Sequence, residues 1–430
     1  MRYAVISLIL TVSQLEAEVK RCSGKNLRIA SASKQVFADL DQSAVGKLKA
    51  KGCIISNVGG VKADVMFPPV VTPPEPLTGA PIYTPEELFW FAGLEELRSL
   101  TEPPLYGEGM NLAIIGTGIR ETHRKINGRV IYSKNYTTDV MGDGFDHDTG
   151  VCDIALAVVP QCSILNLRVL NDTGEGTEED VAIAIDDCIT MLDTNPVIAP
   201  EVINLSLGGP DDGNPDNPLR VACRAAIDRG IWIFASAGNG GPAPYTVTCP
   251  ACEQYVGAVG SCGYEPFIIS DWSSRGPTLE GLVKPDIVMF GENISMASSV
   301  SDTSIVAKSG TSFAVPIISA IAILYQEGVR RLVEVPGEIP PGIILAGQRL
   351  VSINEIIDNY IPNMCIKPQG VALEKDYDYG SGLVWGPLVY RAITVTPVEE
   401  TMEVMLSSMG PIVAIGLLGA ILGNMLKGVK

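Results

Sequence analysis

Residues 308–316 read KSGTSFAVP, with Ser312 just ahead of an apolar run, IISAIAILYQEG, of helical character. A serine at a helix start exposes its own backbone N–H and sits at the positive end of the helix dipole, which suits a hydroxyl that must carry an oxyanion after attack. The same stretch also suits a plain helix N-terminus with no chemistry. Two further blocks weigh toward chemistry. FASAGNGG, residues 234–241, ends an apolar strand with Asn239 in a glycine-rich turn, an amide donor fit to stabilise developing negative charge. VINLSLGGP, residues 202–210, is a second strand breaking into glycines, and SSRGP is followed by KPDIV.

In their order along residues 85–396, the blocks GEGMNLAIIGTGIRETH, LNLRVLNDTGEGT, VINLSLGGP, ASAGNGGP, SSRGP, KPDIV, SGTSFAVP and GSGLVW resemble the subtilisin-like serine peptidases, the subtilases. The resemblance implies Ser312 as nucleophile, Asn239 as the oxyanion-hole side chain, and Ser206, Leu207 and Gly208 as the strand that pairs with an extended substrate. It also implies two gaps. The strand that delivers the family's catalytic aspartate ends here at Gly116, and matching HDTGVCD to the family's histidine motif puts the base at Gly150.

Only His123 and His147 carry an imidazole. His123 matches a position outside the implied triad, and His147 lies one helical turn before the implied base, a shift that usually carries a ring out of reach of the hydroxyl. Loss of the base from the family's triad costs about a million-fold in turnover. The expectation is therefore a catalytically inactive subtilase-like protein, a pseudoprotease with a binding, scaffolding or assembly role, in which GTS persists because it shapes a helix start. A serine endopeptidase with a rearranged or substrate-supplied base, and a structural subunit of a surface layer, filament or virus particle, are the competing readings.

The elements that must position these residues are legible as patterns. Between residues 82 and 396, continuously apolar runs such as NLAIIG, SILNLRVL, VINLSL and IWIFASAG alternate with helical stretches, which predicts an α/β fold with a parallel sheet covered by helices on both faces. Residues 1–66 read β-α-β-β-α-β, a small α+β unit resembling the family's ferredoxin-like propeptide; a signal-peptide reading of residues 1–17 is the weaker alternative. FPPVVTPPEPLTGAP, residues 67–81, is a proline-rich linker that cannot form a regular helix or a central strand.

The tail, residues 397–430, contains an uncharged apolar segment at 409–426 that is long enough as a helix to approach a bilayer's thickness. Its alternatives are a membrane tether and a buried or self-associating helix, so a membrane and a homo-oligomer are both expected partners, beside a peptide or protein in the cleft. The N-terminal domain or its linker is a further candidate occupant of that cleft. A membrane-associated or surface location is favoured on the same ground, with the side of the membrane undecided.

A formal net charge of −18 repels phosphate backbones, which argues against nucleic acid. The 10 cysteines lack the spacing of a disulfide scaffold. Cys249 and Cys252 form a CxxC without a second pair, so a local disulfide or two buried thiols is a better expectation than zinc. Calcium is a habit of the family, and Asp143, Asp146, Asp148, Asp211, Asp212 and Asp216 lie in loops, but no run has a specific ligand order and solvated turns are the simpler reading.

Overall fold

The computed structural model describes residues 1–63, 81–99, 102–264, 266–334 and 361–394. The linker's residues 67–80 and the whole of 397–430, including the apolar segment 409–426, lie outside the described residues.

Strands β1 (Arg2–Ile6), β2 (Lys25–Ala30), β3 (Gln35–Asp39) and β4 (Ile54–Asn57) form an antiparallel sheet in the order β2-β3-β1-β4, with helices α1 (Val12–Arg21) and α2 (Gln42–Lys49) between them. The first apolar run of the chain is thus a strand, because Val5 pairs with Val36 on one side and Ile55 on the other. Helix α1 begins at a reciprocal capping box, in which Thr11 and Gln14 satisfy each other's backbone N–H groups. The helices bury Leu15, Val19 and Leu48 against Val5 and Val36.

After β5 (Gly60–Ala63) come α3 (Pro85–Phe91) and α4 (Leu94–Ser99), then the main domain: β6 (Asn111–Gly116), β7 (Val130–Asn135), α5 (Asp148–Val158), β8 (Ser163–Arg168), β9 (Glu175–Thr177), α6 (Glu178–Thr194), β10 (Val202–Leu205), β11 (Leu207–Gly208), α7 (Pro218–Asp228), β12 (Trp232–Ser236), β13 (Gly257–Cys262), β14 (Ile287–Phe290), β15 (Ile294–Ala297), β16 (Ile305–Lys308), α8 (Thr311–Glu334), β17 (Cys365–Ile366), β18 (Leu383–Val384) and α9 (Gly386–Thr394). Nine strands form one sheet in the order β17-β18-β14-β13-β12-β10-β6-β8-β7, parallel throughout except at the β17–β18 edge.

Successive residues of a strand face opposite sides, so a strand buried at every position must be covered on both faces. β6, β10, β12, β13 and β14 are buried along their whole length. The helix pairs α5/α8 and α6/α7 supply the cover. Helix α8 is apolar and long enough to cross a membrane, yet 94% of its apolar window is buried, which makes it the core helix of this domain.

The N-terminal unit docks on the acidic first turn of α6. Arg2 donates to both carboxylate oxygens of Glu179 at 2.6 Å, Arg28 reaches Asp180 at 2.7 Å, and the Gly59 N–H donates to Glu178 at 2.6 Å. Farther along α6, the Ser33 N–H donates to Asp186 at 2.7 Å. The helix N-terminus accommodates the three acids, and the guanidinium groups neutralise Glu179 and Asp180. Replacing Arg2 with alanine removes a bidentate, mostly buried pair and is expected to weaken this docking by about 1–3 kcal/mol. Hydrogen exchange at the amides of residues 60–63 should accelerate accordingly; unchanged protection would mean that the pair does not hold the unit in place.

Candidate active site

The site is built where β6, β10 and β12 end and α5 and α8 begin. Ser312 is the second residue of α8 and is fully buried; its Oγ donates to the Ser206 carbonyl at 3.2 Å, and the Ser206 hydroxyl donates back to the Ser312 carbonyl at 2.7 Å. Asn204, two residues earlier, donates to the Ser206 hydroxyl at 2.9 Å and accepts from Ser319 at 3.0 Å, so the strand and helix are cross-linked on either side of the serine. Asn239, just beyond β12, accepts from both the backbone N–H and the hydroxyl of Thr311 at 3.0 Å each, which fixes the orientation of its amide next to Ser312. The structure therefore brings Ser206, Asn239 and Ser312 together.

His147 occupies the position before α5, fully buried, with its ring 5.3 Å from that of Phe313, the residue after Ser312. Its Nδ1 lies 2.7 Å from Asp148 Oδ1, while Nε2 has no hydrogen-bond partner among the described residues. In the tautomer that donates from Nδ1 to this carboxylate, the Nε2 lone pair is left to accept a proton. The Thr117 N–H donates to Asp148 Oδ2 at 2.7 Å, and the Thr117 hydroxyl accepts from the Asp148 N–H at 3.0 Å. Beneath them, Asp143 accepts from the His147 N–H, from the Thr149 N–H and hydroxyl, and from the Thr117 hydroxyl. Burial first, and then the nearby charge of Asp148, push the Asp143 carboxyl above the usual carboxylate range against these hydrogen bonds.

The two glycines have different surroundings. A Cβ on Gly150 would lie 2.3 Å from the sulfur of Met296 and 3.3 Å from the Ala297 carbonyl, so this residue faces strand β15. Placing the base at Gly150 is therefore corrected: the imidazole next to the serine's helix belongs to His147, one turn earlier. A Cβ on Gly116 would lie 2.2 Å from Asp148 Oδ2. His123 sits elsewhere, buried, with Nε2 3.0 Å from the Ser304 carbonyl. Sequence reasoning weighed Asp148 only as a loop acid for calcium and passed over Thr117. The signal that could have found them is an acid immediately after a histidine, together with a strand end short of its acid.

The chain itself supplies a neighbour for β11. β5 runs antiparallel between β11 and β9, pairing Ala63 with Leu207, Lys62 with Gly208 and Glu175, and Val61 with Gly176. This is the path expected for an extended substrate along Ser206, Leu207 and Gly208, and its occupant is a strand that follows the N-terminal unit.

Three of the loop acids considered for calcium hold contacts within the protein. Asp146 meets Lys308 at 3.1 Å and accepts from Ser298 and Ser299, Asp211 accepts from the Gly213 and Leu279 N–H groups, and Asp212 accepts from the Asn214 N–H. Cys249 and Cys252 form a disulfide, which removes their sulfurs as metal ligands beside Asp211.

A family profile described as the subtilase family matches residues 107–333, more than half of the chain. Serine protease AprX of Bacillus subtilis (strain 168) is 30% identical over 254 residues, which cover 51% of this chain and 57% of that protein. Subtilisin of Bacillus sp. (strain TA39) is 28% identical over 264 residues, covering 54% and 60% respectively. The membrane-bound transcription factor site-1 protease of Mus musculus is 26% identical over 298 residues, covering 62% of this chain and 27% of that protein. The chain thus spans only part of the length of each of these relatives. With a parallel sheet whose central strands lead into Ser206 and Asn239 beside the helix that starts at Thr311-Ser312, and a profile match over that region, the chain belongs to the subtilase family.

Proposed function

We propose that this protein is a serine endopeptidase held in an unprocessed, self-occupied form. The observation that carries this reading is His147 Nε2, a buried ring nitrogen with no hydrogen-bond partner among the described residues, beside the helix that bears Ser312. The inactive reading drawn from the sequence depended on gaps at Gly116 and Gly150; Gly150 faces Met296, and the space beside Gly116 holds the Asp148 carboxylate.

In the proposed reaction, Ser312 Oγ turns from the Ser206 carbonyl and gives its proton to His147 Nε2 as it attacks the carbonyl carbon of an extended peptide. The resulting oxyanion accepts from the Asn239 amide and the Ser312 N–H. Collapse of the tetrahedral intermediate breaks the C–N bond, and His147 returns the proton to the leaving amine. Water, deprotonated by the same nitrogen, then releases the acyl group and restores Ser312. The peptide backbone pairs with β11 as β5 does, so main-chain hydrogen bonds supply binding that does not depend on side-chain type.

The test is the intact mass of the purified chain before and after a fluorophosphonate probe, with Ser312→Ala beside it. A stoichiometric adduct lost in the variant, or a Ser312-dependent loss of the N-terminal unit, is expected. A full-length chain with no adduct at Ser312 would return the protein to the inactive, binding or scaffolding reading.

A further inference from the structure

We propose that Asp148 holds and charges His147 in place of a carboxylate from strand β6, and that residue 116 is glycine because the Asp148 carboxylate fills the space its side chain would need. The inference rests on the endopeptidase reading above and assigns Asp148 as a positioning residue that acts through His147.

Three observations converge on it. First, the three atoms nearest to a Cβ built on Gly116 are Asp148 Oδ2, Cγ and Oδ1, at 2.2, 2.9 and 3.0 Å. Any side chain at the end of β6 would collide with that one carboxylate. Gly116 is absent from the residues with positive φ, so its backbone does not require glycine and the space does. Second, both carboxylate oxygens are committed, Oδ1 to His147 Nδ1 at 2.7 Å and Oδ2 to the Thr117 N–H at 2.7 Å. Thr117 directly follows the strand end, so the carboxylate is anchored on β6 although its backbone belongs to α5.

Third, Asp148 is not occupied in capping its own helix. The N–H groups of Gly150 and Val151 bond to the His147 carbonyl, at 3.0 and 3.2 Å, and leave the side chain to face the imidazole. A carboxylate moved from the strand to the residue after the histidine thus meets the same ring nitrogen from the same volume. Such a relocation requires a glycine at the vacated position, and a glycine stands there.

The experiment moves the carboxylate back. Asp148→Gly, Asp148→Asn, the pair Gly116→Asp with Asp148→Gly, and the pair Gly116→Asn with Asp148→Gly are compared in the full chain. The readouts are the rate of Ser312 labelling by a fluorophosphonate, peptide hydrolysis, and thermal unfolding. Asp148→Gly and Asp148→Asn are expected to slow both reactions by about 10⁴-fold. The Asp-bearing pair should recover to within about tenfold of the native chain. The Asn-bearing pair fills the same volume without charge, and should unfold at the same temperature as the Asp-bearing pair while remaining slow.

Labelling of Asp148→Asn at the native rate would overturn the inference, as would equal recovery by the Asn-bearing and Asp-bearing pairs, which would make Asp148 a space filler. Either result leaves an active native enzyme and so spares the endopeptidase reading. Failure of that reading is seen separately, as a native chain that never labels at Ser312, and this would overturn the inference with it. Asp148→Asn is nearly isosteric, so the question stays decidable if a paired variant does not fold.

Discussion

Replacing His147 with alanine is expected to lower turnover of a peptide substrate by about a million-fold, the loss seen when the base is removed from a serine triad. The size follows from the chemistry. Without a proton acceptor, Ser312 Oγ is an ordinary hydroxyl, and only the oxyanion donors and binding remain, for a residual rate roughly 10³ to 10⁴ above water. Ser312→Ala should cost about as much, and the double variant little more, because the two act as a unit. His123→Ala is the contrast: its Nε2 meets the Ser304 carbonyl, so the change affects packing and leaves labelling of Ser312 within a few-fold of native. Nor should Gly150→His restore a His147→Ala chain, since its side chain would meet Met296. Peptide hydrolysis measures all five variants, and fluorophosphonate labelling the three that keep Ser312. Native-like labelling of His147→Ala would end the assignment of the base.

The second large effect is on stability. Asp286, 1% exposed, accepts from the Lys284 ammonium at 2.6 Å and the Ala258 N–H at 2.8 Å on one oxygen, and from Lys375 at 2.6 Å on the other. Lys284 is itself only 2% exposed. Asp286→Ala leaves that ammonium buried, with the Val256 carbonyl as its remaining acceptor, and is expected to destabilise the protein by about 3–5 kcal/mol. Urea unfolding at neutral pH is the measurement; a loss below about 1 kcal/mol would show that the charge relaxes to solvent.

The same carboxylate gives the effect a pH dependence. Burial alone would push the Asp286 carboxyl up, but the ammonium groups of Lys284 and Lys375 and their hydrogen bonds outweigh it and hold the carboxyl below the usual range. Below about pH 4 the unfolded chain therefore takes up a proton that the folded chain still refuses. Stability from this group is fully present above that pH and is lost as the pH falls through the folded value. The Asp286→Ala chain should lack this component of acid sensitivity.

What the sequence by itself determined is what lies within single segments. Strands buried on both faces read as unbroken apolar runs, so the parallel sheet was legible from NLAIIG and VINLSL. Ser312 and Asn239 stood out where apolar elements meet glycine or small polar residues, and their roles, with that of Ser206, were what the resemblance to the subtilases implied. The β-α-β-β-α-β order of the first strands and helices was legible for the same reason.

The tertiary structure decided what depends on direction and on distant partners. Composition could not separate a core helix from a membrane span in 311–331, because only burial distinguishes the two. Matching letters one helical turn apart could not tell His147 from Gly150, because the turn sends one toward Phe313 and the other toward Met296. It also read Gly116 as a lost acid. The carboxylate arrives across space from Asp148, and the shared volume that makes one residue glycine and the other aspartate exists only once α5 is folded against the end of β6.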